Sequence, residues 1–112
     1  MSNNINIDYE DYKTIDNHIG YKVGINSPII AFEKLEEYIL STFKKYLKDA
    51  NGIMIQFIIS EDTSMFKINN FMESFAKYVN SECDIIFSID TDENLRVEEL
   101  KVRLMIAGLE KI

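Results

Sequence analysis

Cysteine and histidine each occur once in the 112 residues, as Cys83 and His18. A single cysteine excludes an intramolecular disulfide, and one cysteine with one histidine excludes a zinc site built from those ligands. Proline also occurs once and glycine four times. That scarcity leaves no room for a long flexible linker. The glycines, at 20, 24, 52 and 108, are too scattered to form a loop that cradles phosphate. No apolar run approaches the roughly 20 residues that span a bilayer. The opening Met1-Ser2-Asn3-Asn4 lacks the basic and then apolar pattern of a signal peptide. A cytoplasmic location is the expectation. Basic residues number 12 against 19 acidic ones, giving a formal charge of -7. That sign opposes nucleic acid and anionic membrane as partners, since both need a basic surface.

What is present suits one soluble domain. Hydrophobic residues make up 46% and charged residues 28%, enough for one core. Four stretches carry the period of two that marks a strand. They are Tyr21 to Asn26, Ile53 to Ile59, Asp84 to Ile89, and Leu100 to Ala107. In the last, Leu100, Val102, Leu104 and Ile106 point one way, and Lys101 and Arg103 the other. Two stretches carry helical spacing. The first begins at Ser27-Pro28, a capping residue followed by a proline in the first turn. Its apolar residues are Phe32, Leu35, Ile39, Leu40, Phe43 and Leu47, and it should end near Asn51-Gly52. The second starts near Thr63-Ser64 and runs to about Asn80, with Phe71, Met72, Phe75 and Val79 as its inner stripe and Phe66 and Ile68 in its first turns.

The order β-α-β-α-β-β predicts an α+β two-layer sandwich: a four-stranded mixed sheet with both helices on one face. Strand-helix-strand units imply parallel neighbours. The polar loop Asp90 to Glu99 allows the last two strands to pair antiparallel. Residues 1–20 form an acidic N-terminal segment and 21–112 the single domain.

Chemistry is sparse. His18 lacks a visible catalytic partner and reads as a surface or turn histidine. Asp90-Thr91-Asp92-Glu93-Asn94 begins like a calcium loop and then fails: Leu95 stands where the turn needs glycine, and Lys101 where the bidentate glutamate belongs. A solvated loop is the better reading.

The N-terminal segment is more specific. It reads Ile5-Asn6-Ile7-Asp8-Tyr9-Glu10-Asp11-Tyr12-Lys13-Thr14-Ile15. On composition alone this is an unstructured acidic start. Its pattern, however, resembles the synergy loop of the FtsZ family, roughly I-N-V-D-F-A-D-V-[KR]-T-[IV]-M. The resemblance continues along nearly the whole chain. Ile85-Ile86-Phe87 with Asp92-Glu93-Asn94-Leu95 is similar to the family's N-I-I-F-G…I-D-E-x-L. Phe66-Lys67-Ile68-Asn69-Asn70 is similar to L-F-E-V-N-E. Lys101 to Leu109, with Ala107-Gly108 near its end, is similar to R-V-T-V-I-A-T-G-F. There are departures. Ile59-Ser60-Glu61-Asp62 stands for the family's G-G-P-D turn, and Glu10 adds a third acid to the loop.

The resemblance implies the C-terminal domain of an FtsZ-like cell-division GTPase, without its nucleotide-binding half. In that family the synergy loop enters the GTP site of the next subunit in a filament, where its acids place the attacking water and the cation. Carried over, Asp8 and Asp11 are the catalytic acids, and Asn6 helps to place them. Phosphoryl transfer depends mostly on such positioning and charge. The chain is then no enzyme in isolation and binds no cofactor alone; GTP and the cation belong to the partner. The partner is an FtsZ-like GTPase domain or a filament end. The alternative is a binding or dimerisation module with the same fold and no GTPase role, forming a homodimer or holding another protein through a sheet face or edge. A small independent enzyme built on the acid cluster lacks a nucleophile and a cofactor motif. Tyr9, Tyr12 and Tyr21 flank the acids and serve either an interface or the packing of the loop against the sheet.

Overall fold

The computed structural model describes residues 20–110. Its elements are β1 (Tyr21–Asn26), β2 (Ile30–Ala31), a 3-10 turn (Phe32–Lys34), α1 (Leu35–Leu47), β3 (Gly52–Ile59), α2 (Met65–Ala76), β4 (Asp84–Thr91) and β5 (Glu99–Leu109). The expected α+β sandwich is present, with five strands where four were expected. The sheet order is β1-β5-β3-β4, with β2 also on β5.

The additional strand explains why the first helix starts later than Ser27-Pro28. β5 has 11 residues and β1 only six. The outer edge of β5 therefore runs past the end of β1 and needs further partners. Ser27 supplies two of them: its N–H donates to the Val102 carbonyl at 2.8 Å, and its Oγ accepts the Val102 N–H at 2.8 Å. Pro28 has no N–H to offer. Ile30 and Ala31 then pair with Leu100 and Glu99, and the Phe32 N–H reaches Glu98 O at 2.9 Å. Demand from the neighbouring strand thus overrides a local helix-start signal.

Pairing also differs from expectation. β3 is the parallel neighbour of β4 and the antiparallel neighbour of β5. The last two strands run antiparallel but lie on opposite sides of β3. β1 is antiparallel to β5 and does not touch β3 in the ladder. The dense apolar run of β3 wins the central place, where both backbone edges and one whole face are covered.

Both helices lie on one face. Leu35, Ile39, Phe43 and Leu47 of α1 share a core with Ile68, Phe71 and Phe75 of α2 and with Ile53, Ile55, Phe57 and Ile59 of β3. Each such side chain contributes about 1.5–3 kcal/mol by burial. Phe57 meets Phe71 edge-on at 5.8 Å, and Phe71 stacks on Phe75 at 5.5 Å. Ser74 Oγ donates to Glu36 Oε1 at 2.7 Å and ties the two helices together. Ser64 caps α2 by accepting the Phe66 N–H. α2 stops at Ala76, four residues before Asn80, and closes with tight turns from Tyr78 and Val79 N–H to Phe75 and Ala76 carbonyls. Phe66, expected in the first turn, points outward and is 69% exposed.

Candidate functional site

Asn6, Asp8 and Asp11 lie outside the described residues, as do Tyr9, Tyr12 and His18. The structure does describe the end of the sheet where their segment joins. Gly20 has φ +120°, and a Cβ there would meet Leu109 O at 2.5 Å. Only glycine fits that left-handed close approach. Tyr21 pairs with Leu109, and the register slips by a bulge between Tyr21 and Val23. Gly108 has φ +76°, and its Cβ would come within 2.7 Å of Asn51 Cβ. Asn51 organises this end: its Nδ2 donates to Gly108 O at 3.1 Å, its N–H to Ala107 O at 3.0 Å, and its carbonyl accepts Asp84 N–H at 3.0 Å. One residue thus joins the ends of β5, β3 and β4. The Ala107-Gly108 step noted in the sequence therefore has a physical basis: Asn51 packs against Gly108 where a side chain would not fit.

Among the described residues, no element covers the face of the sheet opposite the helices. Arg103 of β5, Gln56 of β3 and Asp90 of β4 form a polar string across three strands. Gln56 Oε1 accepts from Arg103 Nη1 at 3.4 Å, and Gln56 Nε2 donates to Asp90 Oδ2. On one side of the string, Met54, Met105 and Ile86 are half-buried beside exposed Gly24. A shallow groove of about 530 Å³ runs here between β1, β5 and β3. On the other side Lys101 Nζ lies 3.8 Å from Asp92 Oδ2. One half of the face is apolar and the other charged, which suits contact with a protein surface.

The loop after β4 is a self-contained turn. Asp92 Oδ1 accepts the Asn94 N–H at 2.9 Å, Asp92 O accepts the Leu95 N–H at 3.1 Å, and Leu95 is buried. These contacts use Asp92 for the loop itself. The Ser60 to Thr63 turn needs no glycine: Ser60 Oγ accepts the Asp62 N–H and Ser60 O the Thr63 N–H. Burial, then the neighbouring Asp84 charge, pushes the Cys83 thiol up to about 11 from its ordinary value of 9.0. It stays protonated at neutral pH and is a poor nucleophile. Among the described residues no group of three or more His, Cys, Asp or Glu could hold a metal ion, and no helix is long and apolar enough to cross a membrane.

Sequence reasoning missed Ser27 as a ladder partner, Asn51 as the tie between three strands, and the string through Gln56. Gln56 carried a signal, being a polar residue on the wet alternates of an otherwise apolar strand. Asn51 carried none beyond its place before Gly52.

A two-helix layer on one face of a β1-β5-β3-β4 sheet is an α+β sandwich. Among the solved structures similar to it are two of FtsZ from M. jannaschii. An empty FtsZ dimer matches with a TM-score of 0.72 and 23% identity, over 93% of this chain and 32% of that one. A tryptophan-to-tyrosine mutant of the same FtsZ, in crystal form P1, matches with a TM-score of 0.72 and 22% identity, over 94% and 33%. The chain therefore has the fold of about one third of FtsZ, in keeping with the C-terminal domain that its motifs resemble. No protein-family model and no curated protein matches it.

Proposed function

We propose that this chain is a longitudinal assembly module of the FtsZ type in the cytoplasm, offering Asp8 and Asp11, aided by Asn6, to the GTP site of a neighbouring FtsZ-like subunit. The observation that carries the reading is the conjunction of two features. The fold matches FtsZ over 93% of the chain, and the segment that joins it at Gly20 reads Asn6-Ile7-Asp8-Tyr9-Glu10-Asp11. In this reading GTP and its cation come with the partner subunit. The acids would orient water and cation there, and Lys13 would offset part of their mutual repulsion.

Added as a separate 112-residue chain, it would occupy one end of a filament. Adding it in molar excess to FtsZ should lower the steady-state GTPase rate and shorten filaments in a sedimentation assay. An unchanged rate at large excess would rule the reading out.

The open face favours a second reading, a homodimer or a hetero-complex without GTPase work. Met54, Met105 and Ile86 supply its apolar centre. Size-exclusion chromatography with light scattering separates the two: a tight dimer that buries the Met54 and Met105 side chains and leaves FtsZ turnover unchanged favours the second reading.

A further inference from the structure

β4 is an edge strand, and among the described residues nothing pairs with its outer side. The parallel ladder to β3 begins with Asp84 N–H on Asn51 O at 3.0 Å and ends with Asp92 N–H on Ile59 O at 2.8 Å. Alternation then turns the N–H and C=O groups of Ile85, Phe87, Ile89 and Thr91 outward. Four donors and four acceptors in a regular row are a template for another strand. The side chains beside that row are apolar and incompletely covered: Ile85 and Phe87 on the helix face and Ile86 on the opposite face.

Natural edges are commonly blunted by lysine, proline or a bulge. β4 has none of these, and its pairing with β3 is unbroken over eight residues. Its flanks instead carry one sign of charge. Between Lys77 and Arg96 there are five acids, Glu82, Asp84, Asp90, Asp92 and Glu93, and no base. Glu82 and Glu93 are exposed at opposite ends of the strand.

We propose that the outer edge of β4 is a strand-addition site for an extended peptide with apolar alternates in its middle and Lys or Arg at both ends. Main-chain hydrogen bonds supply the affinity, the half-covered Ile85 and Phe87 gain burial, and the acidic flanks select for basic ends. The charge pattern decides against a second copy of β4. Antiparallel self-pairing about Phe87 sets Asp84 against Asp90, and parallel self-pairing sets each acid against itself. It also decides against residues 1–19, where Asp8, Glu10, Asp11 and Asp16 outnumber Lys13. This site is independent of the filament role proposed above, which uses the other end of the chain.

The test is a titration of the isotope-labelled full chain with the blocked peptide Lys-Lys-Val-Thr-Val-Thr-Val-Lys-Lys, followed by amide shifts and hydrogen exchange. The expected result is saturable binding, with shifts along β4 and slowed exchange at Ile85, Phe87, Ile89 and Thr91. A counterpart with Glu ends should bind roughly tenfold more weakly at low salt, and the gap should narrow as salt rises. Ile85→Pro removes an outward N–H that the β3 ladder does not use, so it should abolish binding in a folded chain. The double variant Glu82→Lys with Glu93→Lys, which leaves the strand untouched, should invert the preference between the two peptides. Equal binding of both peptides, shifts centred on Met54 and Met105, no binding at millimolar peptide, or outward amides already protected in the free chain would each overturn the proposal.

Discussion

Replacing Ser27 by alanine tests the strand-edge assignment directly. In the structure the Ser27 hydroxyl accepts the buried Val102 N–H at 2.8 Å and donates to Pro28 O at 2.8 Å. Alanine removes both bonds and leaves the Val102 N–H beneath a strand edge with no protein acceptor. An orphaned buried donor costs about 1–3 kcal/mol. Loss of the partly buried bond to Pro28 adds about 0.5–1 kcal/mol. A total near 2–3 kcal/mol is a large share of the roughly 5–15 kcal/mol that holds a domain of this size. It corresponds to a fall in Tm on the order of 10 °C. Urea unfolding should show a lower midpoint with an unchanged m-value. A helix cap at Ser27 would also cost about 1 kcal/mol on removal, so the stability change alone does not separate the two assignments. Exchange at Val102 does. In the structure its amide is protected by Ser27 alone, and Ser27→Ala should speed its exchange at least tenfold relative to Ile106. A loss under about 0.5 kcal/mol together with unchanged Val102 exchange would refute the reasoning.

Other predictions follow from the core and from the anchored end of the sheet. Phe57→Ala empties the centre of the aromatic cluster with Phe71 and Phe87 and should cost about 3–5 kcal/mol in chemical denaturation. Gly108→Ala forces a side chain into a left-handed conformation against Asn51; it should cost at least about 1–2 kcal/mol and broaden the Gly20 and Asn51 amide signals in NMR spectra. Cys83 should react slowly with a thiol reagent at pH 8 and gain rate as the pH nears about 11. The folded chain holds this proton more tightly than the unfolded one. Stability from this group is therefore full below the ordinary thiol value and falls as pH rises from about 9 to about 11. Urea midpoints of the wild type should drop more over that range than those of Cys83→Ala.

The layers and most strands were legible because their patterns are strong. The alternation of Leu100, Val102, Leu104 and Ile106 marks a strand with one wet face, and all four are buried as expected. The run from Ile53 to Ile59 marked a strand but not its central place, because position in a sheet is set by competition among strands. Ser27-Pro28 is locally a good helix start, yet the helix begins only at Leu35. What displaced it is Val102, 75 residues away, which no window along the chain includes. The second helix ends short of its apolar stripe for a related reason: Val79 fits the helical spacing, yet it packs against the core from a tight turn. Of the candidate site, Asn6, Asp8 and Asp11 rest on a family pattern alone and lie outside the described residues. The structure contributes the glycine-gated anchor at Gly20 and Gly108, where a φ above zero cannot be read from spacing.

The proposed function requires Asp8 and Asp11 to act on a neighbouring subunit's GTP. Single-turnover hydrolysis of GTP held by an FtsZ GTPase domain lacking its own C-terminal domain tests it most directly. Adding the full chain should accelerate hydrolysis in a saturable way. The variant Asp8→Asn with Asp11→Asn should bind equally well and accelerate by no more than about one hundredth as much, the scale of loss when positioned groups are removed. Equal acceleration by both chains, or none by either at saturating concentration, would contradict the account.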